Sequence, residues 1–346
     1  MSIPEALFGL IVTNEGHDFS DFSMDFDSME PYLRPAGMAI PELQSGQVLI
    51  KVRMAAINPS DRVYLKGAYG QPRVKGIAGG FEGVGDVIAV GSGLYGKALD
   101  GRRVSFVTAP GGSGSWADYA ITDAKFCIPL RDEVKDEDAA GLIVNPVTAA
   151  AMHAIAKKTK SSSFVLTAGA SQLSKFMIAL GRDSGMRPIA IVRRDEQIGP
   201  LMGLGAAHVL NLTDKDFDDR LAKVIKAEEP RTFFDAVVDD VSTRIHDTMP
   251  SRSRWVIYGK LSTDVPKLSD PGQMIFRGKQ IEGFWLTEWI RSTPLPMQIN
   301  TYRAVQARFA DGRWSTSIAE VIPLDEAMER LPSALAKATG KVLLKP

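Results

Sequence analysis

From Ser163 onward the chain alternates short apolar strands with helical stretches, and that alternation leaves few folds open to it. FVLTA (164–168) is a buried-strand run, and LSKFMIALGRDSG (173–185) reads as a helix that stops at Gly185. RPIAIV (187–192), HVLNL (208–212), FFDAVVDDV (233–241) and RWVIYGKL (254–261) continue the series. Strands separated by helices of this length predict a parallel, doubly wound sheet with right-handed crossovers.

The region before it follows another pattern. QVLIKVRMAAI (47–57), GVGDVIAVG (83–91), RRVSFVTA (102–109) and WADYAIT (116–122) are short alternating or β-branched runs, punctuated by Gly, Pro, Asp and Ser. The first part of the chain is therefore predicted to be β-rich. After Asp136 the sequence DEDAAGLIVNPVTAAAMHAIAKK turns Ala-rich, with helix on either side of a break at Asn145–Pro146. The last segment, SIAEVIPLDEAMERLPSALAKATGKVLLKP, returns to strand, helix and strand.

At 346 residues the chain is long enough for two domains, each with its own core. Its 41 basic and 41 acidic side chains cancel, so neither nucleic acid nor an anionic membrane is expected as a general electrostatic partner. The one cysteine, Cys127, excludes an intrachain disulfide and a multi-cysteine zinc site. Within the apolar-flanked KFCIPL it is expected to be a buried small hydrophobe. His17, His153, His208 and His246 have no spacing suited to zinc, so no metal site is expected. The N-terminal stretch lacks the marks of a secretory signal or transit peptide, and the most apolar stretch, 139–156, is too interrupted to span a bilayer. A soluble, cytoplasmic protein is expected.

In a sheet of this kind the turn after the first strand binds pyrophosphate, on backbone N–H groups at a helix N-terminus. Here it reads TAGASQLSKF (167–176), with Ser171, Gln172, Leu173 and Ser174 entering the helix. An ordinary strand–turn–helix with Ser171 as N-cap accounts for the same residues. The next strand end says more. A site for NAD places an acid about 20 residues on, whereas IAIV is followed by Arg193 and Arg194. Guanidinium groups suit the 2′-phosphate of NADPH. Each charge-assisted bond contributes about 1.5–3 kcal/mol, so one or two give roughly a 10- to 100-fold preference over NADH. A solvated basic turn is the plain alternative, and Asp195 keeps dual specificity open.

INPSDRVYLKGAY (57–69), GGFEGVG (79–85), NPVTA (145–149) and GFWLTEW (283–289) carry a resemblance that runs from about residue 47 to the end of the chain. The chain resembles the medium-chain dehydrogenase/reductase superfamily, in particular its zinc-independent quinone oxidoreductase and trans-2-enoyl thioester reductase branch. Zinc-dependent members carry a His–Glu pair where this chain has Phe81–Glu82. The resemblance implies an α/β protein with a GroES-like β-rich catalytic domain (1–144 and 285–346) and an inserted, doubly wound Rossmann NADP-binding domain (145–284). Two departures stand out: Ser171–Ser174 replaces the family's Gly-Gly-Val-Gly, and Tyr258-Gly259-Lys260 replaces Tyr-Gly-Gly.

The resemblance also implies a site. Tyr69 stands where the enoyl thioester reductases have a tyrosine implicated as proton donor; its plain reading is a loop tyrosine whose ring covers core. Asn58 would bond the substrate carbonyl or cofactor ribose, or simply form the turn before Pro59. Asp61 is expected to cap or orient the segment, and Tyr64 to be structural. Asn145 and Thr148 would reach the nicotinamide side or the adjacent phosphates. Tyr258 and Gly259 fall at a strand end, Phe284, Trp285 and Leu286 match a Gly-Phe-Trp-Leu segment, and Lys341 stands at a final cofactor contact. The implied reaction is NADPH-dependent reduction of a small electrophile, an enoyl thioester or enone, with a quinone as the nearest rival. A binding protein of reduced activity is the rival from another class. A homodimer is implied by the same resemblance.

Overall fold

The computed structural model of the chain describes residues 4–108 and 112–346. β1 (Ala6–Val12) and β2 (Leu33–Ala39) form an antiparallel pair. β3 (Gln47–Ile57) then runs through the middle of a second sheet, with nearly every Val, Leu, Ile and Ala side chain buried. It pairs antiparallel with β4 (Glu82–Val90) and, at its first half, with β6 (Tyr119–Asp123). β5 (Arg103–Val107) and β7 (Cys127–Pro129) extend the sheet beyond β4.

The chain next builds six parallel strands: β8 (Ser163–Leu166), β9 (Arg187–Val192), β10 (His208–Asn211), β11 (Thr232–Asp235), β12 (Arg254–Ile257) and β13 (Gln280–Gly283). Their spatial order is β10-β9-β8-β11-β12-β13. In order of sequence that is 3-2-1-4-5-6, the doubly wound arrangement whose strand order reverses between β8 and β11. Finally β14 (Ile318–Pro323) and β15 (Lys341–Lys345) return to the first sheet, β15 lying antiparallel to β3.

Two compact units result, one from Met1–Val144 with Tyr302–Pro346 and the other from Asn145–Thr301. The first has a core that includes Val48, Ile50, Phe106, Trp116 and Leu331. In the second, Val165, Ile189, Ile191, Phe233 and Trp255 form the sheet side of the core, against Leu221, Ile225 and Ile245 from flanking helices.

The mixed α/β class and the parallel, doubly wound sheet agree with the alternation in the sequence, and β3 and β9 coincide with its runs. Cys127 is 2% exposed, as its apolar neighbours require. Helices stand on either side of a break, as expected, but the break falls at residues 140–143, between the helices Asp136–Ala139 and Val144–Lys158, and not at Asn145–Pro146. A single helix spans Val144–Lys158, and Pro146 sits in its first turn, where its missing N–H removes no intrahelical bond. FFDAVVDDV is a strand only as far as Asp235. Ala109, placed in a strand by the sequence, lies outside the described residues, as do residues 1–3 of the N-terminal stretch.

One glycine fixes how the loop before β4 passes the core. Gly80 has φ +93°, and a Cβ there would stand 2.4 Å from Trp116 Cδ1 and 2.5 Å from Ser115 Oγ. Trp116 is 1% exposed and donates through Nε1 to the Ala56 carbonyl, so it has no room to yield. Gly80→Ala combines left-handed strain with overpacking and should cost about 2–4 kcal/mol. Urea unfolding should show a lower midpoint at unchanged slope; a wild-type midpoint would contradict this reading of the loop.

Candidate functional site

In the first unit the site is built where β3 ends. Asn58 follows Ile57 and stands as N-cap of the helix Pro59–Lys66, with Pro59 at its first position. The Asn58 N–H donates to Asp61 Oδ2 at 2.7 Å, a reciprocal cap that begins the helix sharply. The other oxygen of Asp61 accepts the Phe81 N–H at 2.9 Å, joining the helix start to the segment leading into β4. Asp61 therefore orients the local backbone, as expected. Burial pushes its pKa up to about 7, against the lowering pull of the Asn58 N–H, while the Glu82 carboxylate adds to the rise.

The Asn58 side chain is engaged at both ends. Its Nδ2 donates to Glu82 Oε1 at 2.8 Å, and its Oδ1 accepts from Lys341 Nζ at 2.5 Å. Glu82 Oε2 accepts the N–H groups of Ile143 (3.2 Å) and Val144 (2.8 Å). Asn58, Asp61, Glu82 and Lys341 are 1%, 1%, 0% and 6% exposed. Burial raises the Glu82 pKa and lowers that of Lys341, and their opposite charges work against both shifts. Sequence reading placed Lys341 as a cofactor contact; its ammonium is buried within this unit and donates to Asn58. Glu82 was noted only as the second member of a replaced pair. Its signal was an acid lying between glycines at the start of an apolar strand.

The helix Pro59–Lys66 closes at Gly67, and Tyr69 follows in the loop. The Tyr69 and Phe81 ring centroids are 5.0 Å apart at 37°, and the other neighbour of Phe81 is Tyr64, at 5.2 Å and 63°. Tyr64 is 7% exposed, and its hydroxyl accepts the Val74 N–H at 2.9 Å, a structural role. Tyr69, Asn58 and Lys341 are thus gathered in one unit by Phe81, Asp61 and Glu82.

In the second unit the carboxyl ends of β8 and β11 are adjacent. Fully buried Asp235, at the end of β11, accepts from Thr167 Oγ1 (2.5 Å), the Val237 and Val238 N–H groups (2.9 and 3.3 Å) and Trp255 Nε1 (3.0 Å). These bonds tie together the turn ends where the strand order reverses. Sequence reading missed Asp235, although an acid inside the apolar run FFDAVV was the available signal. Ser171 is the N-cap of the helix Gln172–Asp183, its Oγ accepting the Ser174 N–H at 3.2 Å. Gln172 and Leu173 fill the first turn, whose N–H groups aim outward along the helix axis.

Tyr258, just past β12, is part-exposed, but its hydroxyl is buried. The hydroxyl faces the Ser171 and Ser174 side chains without meeting hydrogen-bond geometry to either. Burial raises the phenol pKa above its ordinary range. A buried hydroxyl left unpaired costs about 1–3 kcal/mol, so this corner fits a polar ligand at the helix N-terminus. Gly259 continues the turn. Arg193 and Arg194 are exposed beyond the end of β9; Arg194 pairs with Glu196 at 3.2 Å, and among the described residues Arg193 has no ion-pair partner. Asp195 accepts from Asn211 Nδ2 at 2.8 Å. Phe284, Trp285 and Leu286 follow β13, where the Phe284 N–H donates to the Ile257 carbonyl at 2.8 Å. Asn145 and Thr148 lie in the first turns of the helix Val144–Lys158.

Residues 44–132 match the alcohol dehydrogenase GroES-like domain. A candidate NADPH:quinone reductase from Mesorhizobium loti is 48% identical to the chain, with a TM-score of 0.95 over 100% of both chains. The mitochondrial enoyl-[acyl-carrier-protein] reductase of Arabidopsis thaliana is 29% identical over 313 residues, 88% of this chain and 80% of that one. A mitochondrial 2-enoyl thioester reductase heterodimer from Candida tropicalis shares the fold with a TM-score of 0.81, at 21% identity over 99% of this chain and 100% of that one. With a relative of nearly half identity along its full length, and a phenylalanine where a zinc-binding site would need histidine, the chain belongs to the zinc-independent branch of the medium-chain dehydrogenase/reductase superfamily.

Proposed function

We propose that the protein is an NADPH-dependent reductase of activated carbon–carbon double bonds, acting on 2-enoyl thioesters or enones with Tyr69 as proton donor. The observation that carries this reading is the aromatic and carboxylate framework around Tyr69. It holds a phenol beside a buried polar cluster, in a chain whose relatives include enzymes named as enoyl reductases. NADPH, when bound, supplies the hydride that adds to the β-carbon.

In this reading the residues of the chain bind, orient and move one proton. Ser171, Gln172, Leu173 and Ser174 hold the pyrophosphate at the helix N-terminus, and Tyr258 supplies its unpaired hydroxyl nearby. Arg193 and Arg194 hold the 2′-phosphate. Asn145, Thr148, Gly259, Phe284, Trp285 and Leu286 complete the cofactor contacts. Tyr69 Oη delivers its proton to the α-carbon as general acid. Asn58 has a second Nδ2 hydrogen to offer a substrate or ribose oxygen, and Lys341 and Glu82 fix the direction in which it points. Lys341 thus enters the proposal as the support of Asn58.

A second reading, reduction of a quinone at the same site, is favoured by the description of the Mesorhizobium loti relative. The molecule is further proposed to be a homodimer. β13 forms one edge of its sheet, with Ile281 on it and Ile275 and Phe276 just before it exposed, which suits self-pairing. A cytoplasmic location is part of the same proposal; no helix among the described residues is long and apolar enough to cross a membrane.

Tyr69→Phe should cut turnover of crotonyl-CoA at least about tenfold with NADPH affinity nearly intact, and unchanged turnover would remove Tyr69 from the mechanism. Arg193→Ala combined with Arg194→Ala should abolish the preference for NADPH over NADH, measured by fluorescence titration; a surviving preference would locate the 2′-phosphate elsewhere. Sedimentation should give twice the chain mass, and a species of single-chain mass would contradict the dimer.

A further inference from the structure

Phe81 occupies an unusual place in the first unit: its ring is only half-buried, yet its backbone is held from both sides. Its N–H donates to buried Asp61 at 2.9 Å, and its carbonyl accepts the Thr108 N–H at 2.9 Å. The residue before it is Gly80, whose left-handed backbone has no alternative beside Trp116. The residue after it is Glu82, fully buried and bonded to Asn58, Ile143 and Val144. A ring held this firmly on its backbone is a fixed platform.

The ring of that platform meets two tyrosines of different standing. Tyr64 belongs to the helix and has its hydroxyl engaged by the Val74 N–H. Tyr69 lies beyond the helix end and meets the Phe81 ring at 5.0 Å. The ring contact couples the Asp61–Phe81–Glu82 backbone directly to the Tyr69 phenol.

We infer that Phe81 is a positioning residue for Tyr69, setting the plane and reach of the phenol from which the proton leaves. This rests on the reading of Tyr69 as donor. The part of Asp61 is indirect: it fixes the Phe81 backbone relative to the start of the Pro59–Lys66 helix. Removing the ring leaves the donor present but without the contact that sets its plane, and a displacement of about 1 Å lowers rates by up to about 100-fold.

The test is a cycle of Phe81→Leu, Tyr69→Phe and the double variant, with crotonyl-CoA and NADPH. Phe81→Leu is expected to lower kcat about tenfold or more with little change in KM, and Phe81→Tyr to restore most of the rate. In the Tyr69→Phe background Phe81→Leu should add almost nothing, because the group it positions is gone. Run in D2O, the wild type should place deuterium at the α-carbon in one configuration, and Phe81→Leu should give both. Losses that multiply in the double variant, or a Phe81→Leu enzyme with wild-type kcat and one configuration, would overturn the positioning role while leaving Tyr69 as donor. A Tyr69→Phe enzyme with wild-type turnover would instead remove the donor reading, and the inference with it. Unchanged NADPH affinity and near-ultraviolet dichroism in each variant separate these outcomes from misfolding.

Discussion

A carboxylate stripped of water survives only where it is paired and hydrogen-bonded, and the first unit places two of them side by side. Glu82 and Asp61 are both buried, and a single buried ammonium, Lys341, faces them from the returning end of the chain. The amide of Asn58 stands between Lys341 and Glu82, accepting from one and donating to the other. Removing one partner of such a buried set typically costs about 3–5 kcal/mol, because the remaining charge is left uncompensated. The local geometry around Asn58 and Phe81 follows from satisfying these three buried ionisable groups. It joins the end of β3, the start of β4 and the first residue of β15 at one point.

The second unit solves a similar problem with Asp235. One buried carboxylate collects donors from Thr167, Trp255 and two turn amides, at the position where the parallel sheet changes direction. Ser171 and Ser174, close to it in the turn, stand where the family has glycines. The Ser171 hydroxyl caps the helix, and both serines face a buried tyrosine hydroxyl that meets no hydrogen-bond partner among the described residues. The departure from the glycine pattern thus exchanges bare backbone for side-chain hydroxyls, with the helix N-terminus kept in place. Each unit thus buries groups that are costly to bury alone.

Much of the fold was legible because it depends on local pattern. The β-branched run 47–57 and the apolar run 187–192 coincide with β3 and β9, since a buried strand needs continuous apolar side chains over that length. The hairpin of β1 and β2 was not legible: β2 reads LRPAGMA, and its Pro35 and Gly37 break the strand signal. Pro146 was misleading, because a proline marks a helix interior and a helix start with the same letter. In the first unit the capping role of Asp61 could be read from one short segment. The partnership of Asn58 with Lys341, 283 positions apart, could not, since it exists only because β15 pairs with β3. Asp235 showed as an acid in an apolar run, but its donors, from the turn after β8, from the turn after β11 and from β12, could not be read.

The most direct measurement is NADPH oxidation, followed at its absorbance band, with crotonyl-CoA and 1,4-benzoquinone in parallel and NADH as control. Reduction of an activated double bond requires oxidation that depends on crotonyl-CoA and is faster with NADPH than with NADH. Turnover of the quinone alone would shift the reaction to the second reading. NADPH binding without turnover of either acceptor would contradict the account of this site as a reductase of activated double bonds.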